Sequence, residues 1–227
     1  MNFNHYFKRQ IELWGEERQL SLQDKSIAII GAGGLGSSLA YALGSSGIGR
    51  VDIVDFDRVS LHNIHRQIAF TLNDENEYKA QVVSNVIKSK SPFLKSQAFI
   101  MDFEEFSNID NNRYNLILDA TDNLPSREMI NHYSKAHNIP WIYASVEEFN
   151  GQICFFDKSS FGVFNISNHT PKGISAPMVM QIASTQANMA IRYLVGLEIE
   201  RDKLHYIYYN SNGELIMQKF SMPIEDK

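Results

Sequence analysis

A single cysteine, Cys154, occurs among 227 residues. One thiol closes no internal disulfide and cannot build a multi-cysteine zinc site. Positive charge is also scarce. The 21 Lys and Arg fall short of the 26 Asp and Glu, leaving a formal net charge of −5, which argues against nucleic-acid binding through bulk electrostatics. No block of like charge forms a basic arm or an acidic tail. The longest apolar stretches are broken by Gly, Ser or charge well short of a membrane span. Met1-Asn2-Phe3-Asn4-His5 carries no apolar run behind a basic cluster, so no signal peptide is expected. Internal repeats and low-complexity segments are absent as well. With 44% hydrophobic and 21% charged residues, the expectation is a globular, cytoplasmic protein with no membrane and no nucleic-acid partner.

What is present is an alternation of short apolar runs and helical stretches. Arg9 to Leu20 reads as a helix within an N-terminal arm, 1–25, lying on the surface ahead of the core. Strands are expected at 26–30, 51–55, 98–101, 116–119 and 141–145, with helices at 37–47, 78–90 and 125–137 between them. Strand-helix alternation of this kind argues for a parallel sheet with right-handed crossovers. After Glu147 the rhythm changes: a strand at 151–156, an irregular loop near 159–175, a long helix at 177–194 with an apolar stripe, and two strands flanking Asn210-Ser211-Asn212-Gly213, a hairpin signal. The fold expected is α/β: a Rossmann-like, mostly parallel sheet continued by antiparallel strands, with helices on both faces. It reads as one domain over 1–227, with a nucleotide-binding half at 26–146 and a mixed-sheet extension at 147–227.

Gly31-Ala32-Gly33-Gly34-Leu35-Gly36 separates the first strand from the first core helix. Glycines there let the backbone turn sharply and approach a phosphate, and the helix N-terminus offers free N–H groups and partial positive charge. Asp55 ends the second strand, where such folds place a ribose-binding acid; this suits NAD and ATP equally. Asp57 is either a second ligand or a turn carboxylate making local bonds.

Asp55-Phe56-Asp57-Arg58-Val59-Ser60-Leu61-His62-Asn63-Ile64-His65-Arg66-Gln67 resembles the D-x-D-x-V-x-x-x-N-x-x-R-Q stretch of ThiF, MoeB and the ubiquitin-activating enzymes. Lys79 follows, then Asp119-Ala120-Thr121-Asp122-Asn123, similar to D-x-T-D-N, with Arg127 shortly after. Upstream, Tyr6-Phe7-Lys8-Arg9-Gln10 resembles the family's R-Y-x-R-Q entry, with His5 where the first arginine often stands. Downstream, Ala176-Pro177 resembles the M-A-P behind the family's crossover loop. The resemblance implies an ATP-dependent adenylyltransferase that activates the C-terminal carboxylate of a ubiquitin-like sulfur carrier, ThiS-like or MoaD-like, with Mg²⁺. It puts Gly31, Gly33, Gly34, Gly36, Asp55, Asp57, Asn63, Arg66, Gln67, Lys79 and Asn123 around the nucleotide and Asp122 on the metal. It further implies a homodimer in which Arg9 reaches the partner's site. Thiamine and molybdenum-cofactor synthesis both remain open, and thiamine is the reading preferred.

The residue types suit that chemistry. A terminal carboxylate is ionised near pH 7 and needs no general base to attack the α-phosphate. The reaction needs charge neutralisation and in-line positioning; Arg9, Arg66 and Lys79 are the candidate cations. Plainer roles stand beside these. Asp119 caps the strand end or takes part in catalysis. Asp122 caps the helix near Pro125 or holds the metal. Arg66 is a surface ion-pair residue or a phosphate ligand, and His62 and His65 are solvated loop residues or a metal pair.

Besides His5, the sequence departs from the family in its zinc ligands. Many relatives hold zinc through two Cys-x-x-Cys pairs, near the crossover loop and near the C-terminus. Here the loop reads Ser160-Phe161-Gly162-Val163-Phe164-Asn165-Ile166, so no zinc is expected and the apolar residues are the candidate replacement staple. Cys154, in an apolar strand, is expected to be inert, which calls for a separate sulfur donor. The competing readings are an NAD-dependent oxidoreductase, for which Arg66, Lys79 and Asp122 have no evident task; a family member acting on a peptide or, against the acidic pI, on tRNA; and a catalytically silent partner subunit.

Overall fold

Ser26–Ile30 (β1), Arg50–Val54 (β2), Leu116–Asp119 (β4) and the first half of Trp141–Glu147 (β5) are buried almost residue after residue. Strands buried in that way lie in a sheet covered on both faces. In the computed structural model, which describes residues 1–109, 114–164 and 173–224, these strands and Ala98–Phe99 (β3) form a parallel sheet in the order β3-β2-β1-β4-β5. The sheet then continues antiparallel through Asn150–Phe156 (β6), Lys203–Tyr209 (β7) and Leu215–Ser221 (β8). The α/β architecture expected from the sequence is the one found.

Three short helices, Phe3–Tyr6 (α1), Lys8–Trp14 (α2) and Glu16–Ser21 (α3), precede the sheet. The single helix expected at 9–20 is broken at Gly15, whose φ of +89° no helix accommodates. Nor is the arm wholly a surface feature. Phe7 is 2% exposed, packs against Phe93 at 5.5 Å between ring centroids, and the Tyr6 hydroxyl donates to the Lys90 carbonyl at 2.7 Å.

Alternate strand residues feed two cores. Ile27, Ile53, Leu118 and Ile142 face Gly34–Leu43 (α4), Lys79–Lys90 (α5) and Ala176–Leu194 (α8). Ala28, Ile117 and Trp141 face Phe103–Ser107 (α6) and Leu124–His137 (α7). α6 gave no signal in the sequence because it is barely more than one turn. The stripe expected on α8, Val179, Ile182, Ala183, Ala190 and Leu194, is buried throughout.

The segment after β6 is tied down by one carboxylate. Asp202 accepts the backbone N–H groups of Asp157, Lys158 and Ser159 at 3.0, 3.1 and 2.9 Å, and the Ser159 hydroxyl at 2.6 Å. Burial alone raises the pKa of this carboxyl, but the donors outweigh it and hold the group below its usual range. Of the expected staple, Phe161 and Phe164 pack with their rings tilted at 51° and centroids 5.1 Å apart; the Val163 side chain and Ile166 lie outside the described residues, as does 165–172 of the crossover loop.

The turn between β1 and α4 allows no side chain at two points. Gly31 has φ +97°, and a Cβ on Gly36 would sit 1.9 Å from the Gly31 carbonyl oxygen. That contact presses α4 against the end of β1. Gly36→Ala is therefore expected to cost at least about 2 kcal/mol, since backbone rather than a yielding side chain must move. Urea denaturation measures this, and a change below about 0.5 kcal/mol would show that the turn relaxes freely.

Candidate active site

β1 lies between β2 and β4, where the strand order reverses, and in open α/β sheets ligands bind outside the carboxyl ends of the strands at this point. A cleft of about 550 Å³ opens there, of a size suited to a nucleotide-sized ligand. Gly33 precedes α4 with no side-chain cap, so the first-turn N–H groups of a ten-residue helix are left to whatever enters.

Charged groups are distributed around this turn. Asp55 accepts the N–H groups of Ala32 and Asp57, both at 2.7 Å. Burial raises its pKa against these bonds and against Lys79. Asp57 forms an ion pair with Lys79 at 2.7 Å, and the lysine is nearly buried. The described partners of Arg66 are Asn63 Oδ1 at 3.3 Å, His65 Nε2 at 2.9 Å and the His62 carbonyl at 3.5 Å. No carboxylate among the described residues answers its charge, so the surface ion-pair role considered for it is not found. His62 is turned to Ser60 at 2.8 Å, and no group of three or more His, Cys, Asp or Glu among the described residues is arranged to hold a metal. Gln67, buried at 5% exposure, lines the cleft with its Oε1 unpartnered.

The opposite wall is built from the end of β4. Asp119, with no exposure, receives Arg127 Nε at 3.2 Å and the Thr121 N–H and O–H at 2.9 and 2.7 Å. Burial drives its pKa up, and Arg127 and Thr121 oppose the rise. Asn123, not Asp122, caps α7, accepting the Ser126 N–H at 2.9 Å. The helix-cap role considered for Asp122 is thus filled by its neighbour, and Asn123 commits its Oδ1 to the helix. The exposed Asp122 carboxylate makes no hydrogen bond or ion pair with the described residues.

The cleft brings together Gly31, Gly33, Gly34, Asp55, Asp57, Arg66, Gln67, Lys79, Asp122 and Asn123 from the residues singled out in sequence. Three others lie elsewhere. Gly36 sits behind the turn as a packing glycine. Asn63 is buried behind Arg66. Arg9 is on α2, 91% exposed and 2.9 Å from Glu12. Arg127, Ser145 and Glu147 also line the cleft. Only for Arg127 was there a signal, its spacing after Asp119; Ser145 is the last residue of the expected strand, and Glu147 arrives because β5 runs two residues longer than expected.

The ThiF family model matches residues 7–226. The chain is 33% identical to the sulfur carrier protein adenylyltransferase of Thermus thermophilus, over 63% of this chain and 53% of that protein. It is 37% identical to a probable molybdopterin-synthase adenylyltransferase of Porphyra purpurea, over 67% and 40%, and 32% identical to the sulfur carrier protein ThiS adenylyltransferase of Escherichia coli, over 82% and 78%. It thus spans about half of the first two relatives. Escherichia coli MccB crystallised with MccA shares the fold at a TM-score of 0.85, with 18% identity over 99% of this chain and 73% of that one.

Cys154 stands apart from the cleft lining, fully buried in β6. Desolvation, with a smaller contribution from the Asp202 charge, pushes its thiol far above the ordinary range. Alkylation by iodoacetamide at pH 8 is expected to run at least about 100-fold slower in the native protein than in urea. A native rate equal to the unfolded one would mean that the thiol is accessible and reactive.

Proposed function

Because this chain belongs to the ThiF family, we propose that it adenylates the C-terminal carboxylate of a ubiquitin-like sulfur-carrier protein, ThiS-like or MoaD-like. The carboxylate oxygen forms a bond to the α-phosphorus of ATP, the bond to the bridging oxygen of the β-phosphate breaks, and pyrophosphate leaves. Three features of one cleft support this reading: the uncapped start of α4 and, among the described residues, Arg66 with no counter-charge and Asp122 with no partner. The last carries it. The protein fixes the residues on both sides of Asp122 by hydrogen bonds and leaves that carboxylate for a ligand.

Mg²⁺ suits such a position. It takes one or two protein carboxylates and completes its shell with water and phosphate oxygens, so one free carboxylate beside the triphosphate suffices, and bound there it neutralises phosphate charge. Arg66 supplies further positive charge, and Lys79 adds its own when a phosphate displaces the half-exposed Asp57 from it. Asp55 receives N–H groups on both oxygens and keeps lone pairs for a ribose hydroxyl. The buried Cys154 offers no acceptor for the activated carrier, which supports release to a separate sulfur donor. A ThiS-like carrier of thiamine synthesis is the first to test, and a short peptide acceptor is separated from it by the same assay.

Asp122→Ala is expected to reduce carrier-dependent ATP–pyrophosphate exchange at least about 100-fold with an unchanged melting temperature. Near wild-type exchange would remove the metal role.

We propose further that the active unit is a homodimer in which Arg9 completes the neighbouring site. Its only ion pair among the described residues is an exposed i,i+3 contact with Glu12, worth too little to hold it in place. Arg9→Ala and Lys79→Ala should each be inactive alone. Mixed after subunit exchange, about half the dimers are heterodimers with one intact site in two, so activity should return to about a quarter of wild type. No recovery after verified exchange would mean that Arg9 serves its own subunit or that both sites must be intact.

A further inference from the structure

Arg127 has no part in the reading above, yet it lines the cleft at only 8% exposure. Its Nε donates to Asp119 at 3.2 Å and its Nη2 to the Thr121 carbonyl at 2.7 Å. The guanidinium also lies over the Tyr143 ring, 5.2 Å from its centroid. Thr121 in turn donates to Asp119, and Asn123 is fixed as the cap of α7. Residues 119–123 are therefore fastened at Asp119, Thr121 and Asn123, and the one carboxylate between the fastenings that stays unbonded is Asp122. The buried Asp119 balances the charge of Arg127, so the guanidinium adds no net positive charge for a phosphate. Its geometric contribution is the peptide carbonyl immediately before Asp122.

We infer that Arg127 is a positioning residue for Asp122: its planar fork holds the Asp119 carboxylate and the Thr121 carbonyl together, and so fixes the direction in which Asp122 meets a metal–phosphate complex. This rests on the proposed role of Asp122 as metal ligand. A lysine conserves the charge but cannot span both acceptors with a rigid fork. Ion pairing alone is a weak reason for burying such a pair, since buried pairs contribute little net stability.

The test compares wild type, Arg127→Lys, Asp122→Ala and the double variant. Free Mn²⁺ is followed by electron paramagnetic resonance in the presence of ATP, and metal-free ATP binding is measured by calorimetry in EDTA. Arg127→Lys should weaken Mn²⁺ binding by about 10- to 100-fold, as the loss of partners behind metal ligands does, and leave metal-free ATP affinity within about twofold. The double variant should bind Mn²⁺ no more weakly than Asp122→Ala, because both substitutions remove the same contact. Weakened Mn²⁺ binding in Asp122→Ala with none in Arg127→Lys, or additive losses in the double variant, would overturn the role of Arg127 and leave that of Asp122 standing. Unchanged Mn²⁺ binding in Asp122→Ala would overturn both. If Arg127→Lys does not fold, Thr121→Val removes one bond to Asp119 and should weaken Mn²⁺ about fivefold, the worth of one hydrogen bond; unchanged binding there also counts against the proposal.

Discussion

Asp119 ends β4 as a carboxylate with no solvent contact, and most of the cleft is organised by the need to satisfy it. A buried charge costs several kcal/mol unless it is paired and hydrogen-bonded. Arg127 comes from α7, both donors of Thr121 come from the turn, and Gln186 of α8 donates to the Asp119 carbonyl at 2.9 Å. One residue thus draws together a strand, a turn and helices from both faces of the sheet. Next to it, Gly31 and Ala120 approach so closely that neither chain can shift independently. The glycine turn and the Asp122 turn are consequently two sides of one rigid seam.

Within that seam, partnership separates groups engaged with the protein from groups left available to a ligand. Asp119, Arg127 and Asp57 are engaged with the protein itself. Among the described residues Arg66 meets no carboxylate, Asp122 and Gln67 Oε1 have no partner, and the start of α4 is uncapped. Leaving a buried acceptor and several helix N–H groups unsatisfied is unfavourable in the empty protein, and the cost is offset when a ligand brings its own donors and negative charge. A nicotinamide dinucleotide would use the glycine turn and Asp55, but it gives Asp122 and Arg66 nothing to do. ATP with Mg²⁺ has a partner for all four: phosphates for the glycine turn and Arg66, a ribose hydroxyl for Asp55 and the metal for Asp122.

Much of this was legible in the sequence because the glycine turn and the acids at strand ends are local features. Gly31 and Asp55 follow their strands directly and Asp122 comes three residues after the end of β4, and strand ends converge in a parallel sheet. What escaped depended on packing. Whether Asp122 or Asn123 caps α7 is decided by where the helix starts, one residue from the expected place. Arg127 gains its position from a buried acid eight residues earlier, a relation that spacing suggests but cannot prove. Gly15 broke the N-terminal helix through a positive φ that periodicity does not report. The anchoring of the Ser159 segment by Asp202 joins residues far apart in sequence, and no motif marks it.

The central claim is that the acceptor is a free C-terminal carboxylate of a carrier protein, activated without a base. It is tested most directly by intact-mass spectrometry of a ThiS-like or MoaD-like carrier after incubation with this protein, ATP and Mg²⁺. The same carrier bearing a C-terminal amide serves as the comparison. The account predicts one added AMP on the free-carboxylate carrier and none on the amide, with pyrophosphate formed only in the first case. AMP on both carriers, or on neither while the protein consumes ATP, would contradict it.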